Sequence, residues 1–358
     1  MEKNQLITIA AALIVVVAAV GVGLFVMQDD GGDGGPSEMK DAMNNNITPL
    51  EGTQRIVCTT VTATEMVCDL GLRSNVIGST NDAGIYDVDS EIIGIDMTFD
   101  YPASMEADIA NGTVKSIGGA TNWTADFVAS LNPTVVVAET YQFEADASRM
   151  TQLQTLGITV IVLSSDSGVD TMVDNYELLG FAFDKEDRAE DIADAVNSVN
   201  DKIQNAVAGN SAIKAAHICY CFGSYYIYND STTMGVLEDL GCEIVLRSES
   251  SFGTISAEQI ADADPDVIIF DDMATDLNWE EVVAGWKADP VMGAIDVIAQ
   301  DDFFCLEYGP FKATSYNTVH FVEGKALIAA MIAGDSIGVD VPNVLTDENW
   351  KNYIQWIE

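Results

Sequence analysis

The stretch Asp184 to Ala208 constrains the fold of this chain more than any other, because it is the one long segment with a clear helical period. Ile192, Val196, Val199, Ile203 and Val207 recur at spacings of four, three, four and four, which places them on one stripe with charged and amide residues elsewhere. Asp184 is placed to cap the first turn, the acidic residues that follow suit the positive end of the helix dipole, and Gly209–Asn210 supplies a stop. At 1.5 Å per residue such a rod is about 37 Å long. On either side lies a segment of domain size, residues 55–183 and 209–358, each reading as alternating strands and helices. The pattern predicts two lobes joined by the helix 184–208; the alternative is an ordinary surface helix within one domain.

In the first lobe, Arg55 to Val61 is a short β-rich run followed by a helix from Thr64 to Leu70, and Val76 to Ser79 reads as a second strand. Val135 to Val137 and Ile158 to Leu163 are buried-strand cores, each after a helical stretch. In the second lobe, Ala215 to Cys221, Glu243 to Leu246, Val267 to Phe270 and Phe303 to Leu306 read as strands. Met234 to Leu240, Ala257 to Ala263, Trp279 to Trp286 and Tyr316 to Ala333 read as helices. Short apolar strands alternating with helices predict an α/β fold of two Rossmann-like lobes with parallel sheets. In such sheets ligands gather at the carboxyl ends of the strands, where the loops of the first lobe carry Tyr101, Trp123 and Tyr141.

Leu6 to Met27 runs 22 residues without a charge, enough to cross a bilayer core as a helix. Lys3 precedes it and Asp29, Asp30 and Asp33 follow, which puts the remainder of the chain outside the cytoplasmic membrane. No clear cleavage site ends the run, so 1–28 is read as a retained membrane anchor in preference to a cleaved signal, and 29–54 as a flexible acidic tether. With 57 acidic against 15 basic residues, the net charge of −42 argues against nucleic acid as a partner. The six cysteines leave two readings open: a bridge from Cys219 or Cys221 to Cys242, or buried free thiols. Two histidines do not support a zinc site of the usual spacing, and no cofactor is expected. Asn111, Asn122 and Asn229 stand in N-x-S/T sequons.

One internal echo links the halves. ADFVASLNPTVVV in the first lobe and AEQIADADPDVIIF in the second share a helix, a proline and a buried strand at the same spacing. Together with TATEMVCDLG, the DYP at Asp100 to Pro102 and the connecting helix, the pair resembles the substrate-binding proteins of metal-chelate ABC importers for cobalamin and ferric siderophores. The resemblance runs from about Arg55 to Gly334. It implies a monomer of two rigid lobes with a ligand pocket between them, little hinge motion, no catalysis, and an ABC permease with its ATPase as partners. The stretch between Ser79 and Asp100 is an insertion relative to that family.

Aromatic side chains suit a large chelate, because they supply rigid contact area at low entropic cost. The resemblance places Tyr101, Trp123 and Phe252 at the pocket, with Trp123 and Phe252 facing each other across it; Tyr225, Tyr308 and Phe311 are further candidates. Arg149 and Arg247 are candidates to meet carboxylates of a ligand. Asp126 and Glu258 each sit seven residues before a signature proline, where family members present one acidic residue per lobe to permease arginines. The expected function is capture of a ferric siderophore or corrinoid at the cell surface. An alternative from another class is a nitrogenase-like or chelatase-like protein with Cys58, Cys68, Cys219 and Cys221 around a metal or cluster, and a third is a permease-independent surface sensor.

Overall fold

The computed structural model describes residues 37–81, 105–143, 147–208, 213–272 and 277–358. The expected anchor 1–28, Tyr101 with its DYP, and nearly all of the insertion lie outside these. Among the described residues no helix is long and apolar enough to cross a membrane.

The chain runs through β1 (Met39–Lys40), β2 (Asn46–Ile47), β3 (Ile56–Cys58), α1 (Val61–Asp69), β4 (Val76–Ser79), α2 (Met105–Asn111), β5 (Lys115–Ser116), α3 (Ala125–Ser130), β6 (Val135–Glu139), α4 (Ser148–Thr155) and β7 (Thr159–Leu163). These build the first lobe, a five-stranded, wholly parallel sheet in the order β5-β4-β3-β6-β7. Its interior strand β6 is VVVAE, buried at every position, as a strand covered by helices on both faces must be.

Helices α5 (Val169–Phe183) and α6 (Glu186–Val207) lead to the second lobe. It contains β8 (Lys214–Cys221), β9 (Ser224–Tyr228), α7 (Thr232–Asp239), β10 (Glu243–Ile244), β11 (Phe252–Ile255), α8 (Ala257–Ala263), β12 (Val267–Asp271), α9 (Trp279–Ala288), α10 (Asp296–Ala299), β13 (Phe303–Leu306), α11 (Tyr308–Ser315), α12 (Phe321–Ile337) and β14 (Val344–Leu345). Its sheet runs β11-β9-β8-β12-β13-β14, with β10 also on β8. This sheet is mixed, which corrects the expectation of parallel sheets throughout: β9 is antiparallel to both β8 and β11. The cause is a hairpin with the two-residue turn Phe222–Gly223, both at left-handed φ (53° and 74°), the backbone that reverses a strand most tightly.

The connecting helix forms as its period predicts, and all five stripe residues are buried. Its start differs. Asp184 does not cap it but closes α5 in a left-handed conformation, with the Lys185 amide on the Gly180 carbonyl, and α6 begins at Glu186. The two helices cross so closely at this corner that a Cβ on Gly180 would sit 2.6 Å from the Ala189 methyl. One continuous core passes from the inner face of the first sheet through α5, α6 and α12 to the second sheet, so the lobes share their interior. Two further clusters cover the outer faces, around Trp123, Val128 and Leu153 in one lobe and Trp279, Trp286 and Phe303 in the other.

Two other boundaries shift. Residues 37–54 are no loose tether: β1 pairs with β2, Ile47 enters the shared core, and the Asp41 carboxylate accepts the Val162 amide at 3.0 Å. A buried carboxylate bound to backbone amides anchors the segment despite its low apolar content. The helix expected over 316–333 starts five residues later and runs to Ile337 as α12, with residues 316–320 linking it to the separate helix α11 that ends at Ser315.

Candidate ligand cleft

The carboxyl-end loops of the two sheets turn toward each other. The Asn317 side chain, between α11 and α12, donates to the Asp166 carbonyl just after β7 at 3.2 Å. Gly235 in α7 packs so that an added Cβ would meet that of Ser167 at 3.2 Å. His320, at the amino end of α12, lies beside Glu65 of α1.

On the first lobe this end is lined by hydroxyls, because Thr59 and Thr60 follow β3 and Ser79 ends β4. Thr60 caps α1 by accepting the Ala63 amide at 3.1 Å, Thr59 donates to Gln142 at 2.6 Å, and Thr64 bonds Ser79 at 2.9 Å. Among them Glu139, the last residue of β6, is buried. Desolvation pushes its carboxyl up to about 7, against hydrogen bonds from Thr60 and Thr62 that favour the charged form.

On the second lobe, alternate residues of β8 and β9 put His217, Cys219, Tyr226 and Tyr228 on one face. His217 stacks on Tyr228 at 4.8 Å, its Nε2 is 2.8 Å from Asp271 Oδ2, and its Nδ1 is 2.8 Å from Ser231 Oγ. The Tyr228 hydroxyl donates to Asp271 at 3.1 Å, and burial raises both that phenol and the Cys219 thiol well above their ordinary ranges. Phe252 stacks flat on Tyr226 at 4.9 Å. Phe222, at the hairpin tip, is 86% exposed. Sequence reasoning missed it; the signal was a two-residue turn, Phe-Gly, between two alternating runs.

Trp123 is placed differently from the expectation. It is 2% exposed, its edge packs against Phe143, and the Arg149 guanidinium lies 4.4 Å over its ring, so it does not face Phe252 across the cleft. Arg149 also donates to the carbonyls of Thr121, Trp123 and Gln142, which makes it a strut of the outer core. Arg247 pairs with Glu238 at 2.5 Å and donates to the Asn229 carbonyl; in a chain so rich in carboxylates an arginine finds an acidic neighbour locally. Tyr225 points to the opposite face from Phe252 and packs on Tyr220 and Trp286. Tyr141 stands half-exposed on the turn after β6, and Tyr308 opens α11 with Lys312 Nζ 5.1 Å from its ring centroid. Phe311 packs against the shared core.

Asp126 and Glu258 occupy matching places, exposed in the first turns of α3 and α8, behind the capping side chains Thr124 and Ser256. Both helices lead into interior parallel strands, β6 and β12, so both carboxylates stand at the cleft end of their lobes. The Glu258 carboxyl is lowered by its own backbone amide and by Ser256. All six cysteines are free and buried, so neither bridge to Cys242 forms. Cys58 and Cys68 lie in one lobe, Cys219 and Cys221 in the other with sulfurs 3.3 Å apart; among the described residues no three metal-binding side chains could hold an ion, which removes the support for a cluster protein. A pocket of about 400 Å³ lined by Asp264, Val267, Asp302 and Met331 opens at the amino ends of β12 and β13, away from the lobe contacts.

Comparison with known proteins places this geometry. The Fe(3+)-citrate-binding protein YfmC of Bacillus subtilis (strain 168) is 22% identical over 299 residues, covering 81% of this chain and 85% of that protein. The petrobactin-binding protein YclQ of Bacillus subtilis superposes with a TM-score of 0.60 at 14% identity, over 84% of this chain and 98% of that one. Heme-bound IsdE of S. aureus gives 0.56 at 20% identity, over 78% and 99%. The periplasmic binding protein family model matches residues 56–306, from β3 of one lobe to β13 of the other, and the chain belongs to that family.

Proposed function

We propose that the protein is an extracytoplasmic solute-binding protein, held on the outer face of the cytoplasmic membrane by residues 1–28, that captures a metal chelate between its lobes and delivers it to an ABC permease. The observation that carries this reading is the opposition of the two carboxyl-end faces across a shared core. One face is hydroxyl-lined and the other aromatic. The similar proteins named for Fe(3+)-citrate, petrobactin and heme support a metal chelate as the cargo. Such a cleft supplies contact area and a few orienting polar groups, and no covalent step is required. Equilibrium dialysis of the full chain against ferric siderophores, heme and corrinoids tests the reading. Saturable binding of one of them is expected, and binding of none overturns it.

A further inference from the structure

The location of the positive charges says which chelates the cleft accepts. Residues 82–104, 144–146, 209–212 and 273–276 contain no lysine or arginine, so every basic residue except Lys3 lies among the described residues.

The described cations near the carboxyl ends of the strands are already engaged. Arg149 is bound to three carbonyls and the Trp123 ring, Arg247 to Glu238 and the Asn229 carbonyl, and the His320 imidazole lies between Glu65 and Glu323. Lys312 remains on α11, with its ammonium over Tyr308 and its charge felt by the buried Glu65. Against these, the strand ends carry Glu139, Asp271 and Asp272, all buried. Asp271 is bound by the Tyr228 hydroxyl and Asp272 accepts the Leu277 amide at 3.0 Å.

A ligand with several free carboxylates or catecholate oxygens needs cationic partners to replace the water it loses, ideally forked arginines. Placed among like charges across an interface, it is repelled. Resting on the chelate-binding reading above, we propose that the cargo is a neutral or cationic metal chelate, of the ferric tris-hydroxamate kind, and that anionic carboxylate and catecholate chelates are rejected. This separates the chain from the similar protein named for Fe(3+)-citrate.

The test is equilibrium dialysis of the full chain, at one fixed salt concentration, against four probes: a cationic ferric tris-hydroxamate, a neutral one, ferric citrate and a ferric tris-catecholate. At least one hydroxamate should bind ten-fold or more tightly than either anionic probe. Ferric citrate or the tris-catecholate binding as tightly as the hydroxamates, or more tightly, overturns the charge selection while leaving chelate binding intact. Binding of none of the four overturns this proposal, and the chelate reading falls with it only if heme and corrinoids also fail to bind.

Discussion

His320 Nε2 lies 3.5 Å from Glu65 Oε1 across the boundary between the lobes, while its Nδ1 is 2.8 Å from Glu323 Oε2 on its own helix. Burial alone would push the imidazole down. The hydrogen bond and charge of Glu323, and then the charges of Glu65 and Asp69, outweigh it and hold the group at about 9. Glu65 and Asp69 are themselves raised by burial, with Thr318, Lys312 and the Tyr176 hydroxyl also facing the pair. A cationic imidazole between carboxylates therefore ties α1 of one lobe to α12 of the other.

The tie makes lobe stability depend on pH. The folded value of His320 lies above its ordinary 6.5, so its contribution is complete below pH 6.5 and is lost as pH rises through 9. A shift of that size corresponds to roughly 3 kcal/mol. Denaturant unfolding at pH 6.5 and 9.5 should show a smaller loss of stability in His320→Gln than in the parent. Equal losses would mean that the imidazole is not linked to folding.

Glu139 should give a second slope at lower pH. Its carboxyl rises from 4.5 to about 7 on folding, so the folded state holds the proton more tightly and stability falls as pH climbs from 4.5 through 7. Glu139→Gln keeps the shape and removes the titration. Between pH 5 and 8 the variant should lose less stability than the parent, by roughly 2–3 kcal/mol. An unchanged difference would place the carboxyl in water.

Trp123 and Arg149 should act on stability rather than on ligand affinity. Emptying the Trp123 site with alanine costs roughly 3–5 kcal/mol, as for a large buried aromatic. Arg149→Met loses a cation–π contact and three hydrogen bonds to carbonyls, for roughly 1–3 kcal/mol. Affinity of the folded Arg149→Met protein for its chelate should stay within about two-fold, since no ligand contact is assigned to it. A ten-fold loss at unchanged fold would return the arginine to the pocket.

The matched carboxylates Asp126 and Glu258 should matter to transport alone. Both are exposed, one per lobe, in the first turns of equivalent helices. If the pair docks on arginines of a permease, as the proposed function implies, reversing both to lysine, Asp126→Lys with Glu258→Lys, sets like charges in contact and should abolish uptake in cells while the purified protein binds its chelate normally. Normal uptake would make them ordinary solvated carboxylates, and lost binding would move them into the cleft.

The connecting helix, the strands Val135–Glu139, Val267–Asp271 and Phe303–Leu306, and the paired helix-proline-strand units were legible in the sequence, because each is fixed by a local period or a short apolar run. The family followed from their order. What the local pattern could not carry is which face of an element meets which neighbour. Trp123 looked like a pocket aromatic until Phe143 and Arg149, twenty and more residues away, closed over it. Arg247 looked free until Glu238 came within 2.5 Å. The β8–β9 reversal depends on two left-handed residues, one of them a phenylalanine, which no composition rule favours. The link from Glu65 to His320 joins residues 255 apart in sequence, and only the packing of α1 against the start of α12 brings them together. Periodicity specifies elements through the backbone of each segment alone, whereas burial, pairing and the charge of the cleft are set by side chains that meet only when the two lobes close around their common core.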